Sequence, residues 1–260
     1  MTVRTFGTMG TVVSLRFPGG SLTDDDVAEV ERVFTSSDRT YSLWDDASPL
    51  SAVARGELRL TDTDPAVRDV YALALAWRRR TDGAFTPHRP DGVVDLSGVV
   101  KALAMRDAGA VLDRRADDWL LAGGGDVLAR GVHEGSPWTV GVVDPDRRDA
   151  LAACLPLGSP RRAVATSGVA ERGEHIWTRG AVTFAQVTVA ADDIVTADVL
   201  ATAIMAGDHA DLDRLADRFP VDVLAFGRDG SAVATPGARP WLRRVPCTPR
   251  STFPQATPAV

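Results

Sequence analysis

Asp198 and Thr202 place a carboxylate and a hydroxyl four residues apart in "TADVLATAIMAGD" (196–208), an otherwise apolar stretch. On a helix that spacing puts both oxygens on one stripe. Two readings fit. Thr196 can cap the helix and leave Asp198 in its first turn, where a carboxylate suits the dipole, while Thr202 returns its hydroxyl to the Asp198 carbonyl. Alternatively, the two oxygens share a hard cation such as Mg2+, which takes oxygen ligands in octahedral geometry.

Lys101 poses the opposite problem. It sits near the start of a helix in "SGVVKALAM", where the dipole disfavours a cation. A phosphate at that helix end would suit both the amides and the lysine. The plainer alternative is that Lys101 reaches water or pairs with a nearby acid such as Asp95.

"LLAGGGDVLARG" has three consecutive glycines between apolar runs. It lacks the third glycine of GxGxxG and any Walker lysine, so it reads as a tight turn between strands with Asp126 closing it. Thr166, Ser167 and Gly168 in "VATSGVAERGEH" can offer hydroxyls and amides to an anion. Of the four histidines (88, 133, 175 and 209), none forms HxH or HExxH. His175 is the best placed for chemistry, after the "TSG" loop and before a strand. No GxSxG elbow accompanies it, which leaves serine-hydrolase chemistry unsupported. Trp44 and Trp177 lie in polar surroundings, where each can stack on a planar ligand or simply pack.

The elements that must position these residues are mixed. Residues 10–17 read as a strand, and the segment from "SLTDDD" to "DRTYS" as a capped helix; residues 45–64 look irregular. "DPAVRDVYALALAWRRRTDG" reads as a helix with Pro65 in its first turn, and 86–92 as a loop. A short strand, a Ser97 cap and a helix follow, with Val100, Leu103, Ala104, Ala108, Val111 and Leu112 on the buried side. Strands are expected over 118–130, 138–143, 163–167 and 184–191. Beyond the 196–208 helix come a second helix in "HADLDRLADRF" and a hairpin turning at Asp229-Gly230. The fold class is α+β. Residues 1–245 read as one domain and 246–260 as a loose tail.

With 260 residues the chain can bury a large core. Its net charge of −6 argues against nucleic-acid binding. The arginine runs "WRRR" and "SPRR" read as solvated helix ends or loops. Two cysteines, 154 and 247, show no metal spacing and suggest a reducing compartment. No segment has the length of a membrane span or the pattern of a leader, so a cytoplasmic protein is expected.

Taken in order, "FGTMGT", "YSLWDDASPLS", "TDGAF", "VVDLSGVVKALAMRDAGAVL", "LLAGGGDVLARG", "WTVGVVDP", "VATSGVAERGEHI", "VTVAADD" and "ADVLATAIMAGD" resemble the ApbE-type FAD:protein FMN transferases. The resemblance implies an α+β, T-fold-like architecture with an FAD cleft between two lobes. It also implies Mg2+, FAD as substrate, and transfer of the FMN half to a Thr or Ser of a partner flavoprotein with release of AMP. On this resemblance Asp198, Thr202 and the carbonyl of Gly98 serve the metal. Met9, Trp44, Ala84, Phe85, Thr86, Asp95, Lys101 and Trp177 contact FAD, and His175 is the general base. The chain departs from the family pattern in three places. Thr86 stands where Asp is usual, Ala54 where Asn is common, and "HIWTRG" lacks the usual Asp-Pro after the histidine. FAD hydrolysis to FMN and AMP, or FAD binding without turnover, are the alternative activities.

Overall fold

A computed structural model describes residues 1–168 and 182–242. The tail expected over 246–260 lies outside the described residues. Strands Thr2–Thr8 (β1) and Thr11–Phe17 (β2) form a hairpin closed by Met9 and Gly10, whose φ values of 49° and 67° give the two-residue turn that suits strand twist. The sequence reading finds β2 but not β1. This strand is the sheet's edge, with four of its seven residues exposed, so no buried alternation announces it.

Helix α1 (Asp24–Tyr41) starts from a capping box in which Thr23 and Asp26 satisfy each other's backbone N–H groups. Residues 45–64 are more regular than their composition suggests. A short helix α2 (Pro49–Ala54) is capped by Ser48, and a single 3-10 turn spans Leu60–Asp62. Helix α3 (Pro65–Arg80) has Asp64 as its cap and three arginines in its last turn, where cations suit the dipole.

Helix α4 (Ser97–Asp113) and helix α5 (Ile194–Met205) are the centre of the molecule and pack on each other. All six residues expected on the buried side of α4 are buried, as are Val99, Lys101, Ala102, Met105 and Gly109. A helix buried on most sides carries a weak amphipathic signal, because its polar face has nowhere to point. Gly109 lets α4 lie close to the sheet: a Cβ there would stand 2.7 Å from Leu128 and 3.2 Å from Trp119.

The remaining strands are Trp119–Gly123 (β3), Asp126–Arg130 (β4), Val132–His133 (β5), Ser136–Val143 (β6), Leu151–Leu157 (β7), Ala163–Gly168 (β8), Phe184–Ala191 (β9), Asp222–Gly227 (β10) and Ala232–Ala234 (β11). Helix α6 (His209–Arg218) precedes β10. An eight-stranded sheet runs in the order β1-β2-β3-β4-β8-β9-β10-β11, with every pairing antiparallel. Strands β5, β6 and β7 make a second, three-stranded sheet.

The central strands of the large sheet are buried on both faces. Leu121, Leu128 and Val189 join the helices in the main core, while Leu120, Val127 and Ala190 meet Trp138, Leu155 and Trp241 on the other side. This sandwiching makes β3 an unbroken apolar run instead of an alternating one. The architecture is α+β, as expected. Among the described residues no helix is long and apolar enough to cross a membrane. Cys154, buried on β7, is disulfide-bonded, which the expected reducing compartment does not anticipate.

Candidate active site

The polar centre of the molecule lies where α4, α5, β4 and β8 meet. Helix α4 brings Lys101 there, with only 6% of its surface exposed. Its ammonium pairs with Asp126 Oδ2 and lies 3.2 Å from Asp198 Oδ2. Asp126 is 1% exposed and Asp198 5%. Lys101 therefore neither reaches water nor pairs with Asp95. Asp95 instead caps α4 from outside, where its Oδ1 accepts the Ser97 N–H at 2.9 Å. Ser97 is not the expected cap. It is the first helical residue, after the non-capping Leu96.

Asp198 also sits differently from the capping reading. Asp193 is the N-cap of α5, accepting from the Thr196 N–H at 2.8 Å and the Thr196 hydroxyl at 2.9 Å. With Ile194 as the first helical residue, Asp198 falls in the second turn, where the dipole no longer accounts for a carboxylate. The Thr202 hydroxyl, one turn on, meets Ser167 Oγ on β8 at 3.4 Å. Next to Ser167, Thr166 donates its N–H to Asp126 Oδ1 at 3.4 Å and pairs its hydroxyl with Thr188 on β9 at 2.9 Å.

Asp126 is the residue missed by sequence reasoning, which took it as the closing residue of a turn. The turn itself is there: Gly124 and Gly125, at φ 57° and 85°, join β3 to β4 with Gly123 opposite Asp126. The available signal was a carboxylate opening a strand with no polar face, because such a group needs a buried partner.

Gly98, one turn before Lys101, lies against Phe85; a Cβ at position 98 would stand 2.9 Å from Phe85 Cε2. Ala84 and Phe85 are buried, and the Phe85 N–H donates to Thr81 Oγ1 at 3.1 Å. Half-buried Thr86 accepts the His88 N–H at 3.3 Å. The His88 ring meets the Tyr71 hydroxyl at 2.9 Å, and partial burial, helped by the Arg78 charge, lowers its pKa below the ordinary histidine value. Met9 and Trp44 belong to another part of the chain. The Met9 N–H is tied to Asp38 Oδ2 of α1 at 3.0 Å, and Trp44, after the end of α1, is 85% exposed. His175 and Trp177 lie outside the described residues.

Among the described residues no three His, Cys, Asp or Glu side chains converge as a ready-made metal cage. The cluster nevertheless suits a hard cation. One ammonium faces two carboxylates, with the Thr202 and Ser167 hydroxyls alongside. Apart from their ion pairs with Lys101, Asp126 Oδ2 and Asp198 Oδ2 accept no hydrogen bond from the described residues. With all three groups ionised, a buried site keeps one negative charge in excess, and buried charge calls for a partner. Magnesium typically takes one or two carboxylates from a protein and completes its shell with water and phosphates.

The model of the ApbE family matches residues 88–225, a span that includes Lys101, Asp126, Asp198 and Thr202. No curated protein matches the sequence. Solved structures resemble the fold over nearly its whole length. An ApbE protein from Thermotoga maritima is 21% identical, with a TM-score of 0.76 over 94% of this chain and 99% of that one. The flavin transferase ApbE from Vibrio cholerae is 20% identical, with a TM-score of 0.73 over 93% of this chain and 99% of its own. The apo form of the Pseudomonas stutzeri flavinyl transferase ApbE is 20% identical, with a TM-score of 0.75 over 94% and 98%. At these identities the likeness is one of fold, but the family model spans more than half of the 260 residues and takes in the buried charged cluster, and the chain belongs to the ApbE family.

Proposed function

We propose that this protein transfers the FMN half of FAD to a Thr or Ser hydroxyl of a partner flavoprotein, with magnesium, and releases AMP. The observation that carries the reading is the buried Lys101–Asp126–Asp198 cluster with its excess negative charge, in a chain of the ApbE family. Two relatives of the same fold are named flavin transferases, which supports the same activity here.

Phosphoryl transfer asks a protein for positioning and charge neutralisation more than for covalent chemistry. In this reading Asp198 and Thr202, with the carbonyl of Gly98, hold the ion. Magnesium, when bound, supplies charge neutralisation on the phosphate oxygens and on the departing AMP. Lys101 adds a second positive charge for the FAD phosphates. Buried Phe85, packed against Gly98 in the first turn of α4, and its neighbour Ala84 serve as apolar contacts, and Trp44 as an aromatic one. Met9, Thr86, Asp95 and Trp177 complete the FAD contacts. His175 takes the proton from the acceptor hydroxyl as its oxygen bonds to the FMN phosphorus. The bond from that phosphorus to the AMP oxygen breaks, and AMP leaves with the electron pair.

The test is AMP release from FAD by the purified protein, with magnesium or with a chelator, followed by a search for covalently flavinylated protein. Magnesium-dependent AMP together with a flavinylated acceptor is expected. Free FMN in place of the protein adduct would make the enzyme a pyrophosphatase. FAD bound with no AMP in the presence of acceptor would overturn transfer in favour of simple binding.

A further inference from the structure

We propose that Asp126 is a positioning residue that holds the Lys101 ammonium and so keeps the Asp198 carboxylate available to the cation. This rests on the reading of Asp198 as a magnesium ligand. Lys101 lies between two carboxylates from different elements, Asp126 of β4 and Asp198 of α5. The two are not equivalent. Asp126 is anchored to the sheet, because its Oδ1 accepts the Thr166 N–H and it follows the Gly124-Gly125 turn at the start of β4. It is the more deeply buried of the pair and has no hydroxyl ligand beside it on its own element. Asp198 shares its helix face with Thr202, and Ser167 stands next to that hydroxyl.

A buried ammonium requires a counter-charge. With Asp126 ionised, that requirement is met on the sheet side, and Asp198 can turn its charge to a second cation. Without Asp126, Asp198 is the carboxylate left in contact with Lys101 among the described residues. Ammonium and magnesium then compete for one group, and the ion binds more weakly. Partners that orient a ligand without touching the metal typically change metal affinity by about 10–100-fold.

The experiment is a magnesium titration of thermal stability on the full chain with saturating FAD and no acceptor. Its readout is the concentration giving half of the melting-temperature rise, which does not depend on turnover. Wild type should be stabilised by magnesium and Asp198→Asn should not. Asp126→Asn should shift the half-point about 10–100-fold higher. In a Lys101→Met background, adding Asp126→Asn should leave the half-point unchanged, because no ammonium remains to be held. That comparison also stands if Asp126→Asn alone fails to fold, since the double variant removes both charges of the pair.

A wild type that does not respond to magnesium would overturn the metal reading and this inference with it. A responsive wild type matched by Asp126→Asn would overturn the inference alone. A shift of equal size in the Lys101→Met background would make Asp126 act on the cation directly and would also overturn the positioning role.

Discussion

Gly98 and Phe85 touch across a gap that admits no side chain. A Cβ on Gly98 would stand 2.9 Å from Phe85 Cε2, and Phe85 is itself 3% exposed. The first turn of α4, which leads to Lys101, is thereby seated on the "GAF" segment. Gly98→Ala forces the ring aside in a filled core, and we expect a loss of about 1–3 kcal/mol in unfolding free energy. Denaturant titration measures it. A variant as stable as wild type would show that Phe85 can yield freely.

Asp198→Asn keeps the shape of a buried residue and removes one charge from a cluster that holds one negative charge in excess. The chain should fold, while magnesium-dependent AMP release falls about 100- to 1,000-fold. Unchanged AMP release from a folded variant would remove Asp198 from the metal site.

Lys101→Met leaves Asp126 and Asp198 buried without their ammonium. Breaking such a pairing from one side costs about 3–5 kcal/mol. In a chelator the variant should melt well below wild type, and magnesium held by Asp198 should recover part of the difference. A melt insensitive to magnesium would mean that Asp198 does not hold the cation.

His175→Ala tests the proposed base. Transfer should slow about 10²- to 10⁴-fold with FAD affinity retained, as for loss of a general base. Equilibrium FAD binding measured beside acceptor flavinylation separates the roles. Lost affinity in a folded variant would make His175 an FAD contact.

The pKa of His88 is lowered, first by burial and then by Arg78, so the folded state favours the neutral ring. The unfolded chain then binds the proton more readily. The contribution of His88 is unaffected above the unfolded value of about 6.5, and stability declines as pH falls from there through the lower folded value. His88→Gln should flatten that part of the pH–stability curve. A directly measured His88 titration at or above 6.5 would contradict the sign.

Much of the fold was legible because its elements carry local signals. The Asp64-Pro65 start of α3, the hairpin turn at Asp229-Gly230 and the helix over 196–208 follow from caps, turn residues and apolar periodicity. The spacing of Asp198 and Thr202 put both on one helical stripe, and the Thr202 hydroxyl meets Ser167 Oγ on β8. The misses have physical causes too. Strand β1 escaped because an exposed edge shows no burial pattern. The start of α5 was misplaced because Asp193 and Thr196 are both good caps, and the chain uses the earlier one.

The sequence by itself determined the α+β class, the residue types available for chemistry, and the resemblance that orders them. Only the tertiary structure decided which charges meet. Asp126 is 25 residues from Lys101 and 72 from Asp198, and no local periodicity links positions on a strand and two helices. They come together because burying both faces of the central strands of the large sheet presses α4 and α5 onto β4 and β8. Once there, an ammonium and two carboxylates removed from water must find each other. That requirement belongs to the packed core, and no single segment of the chain expresses it.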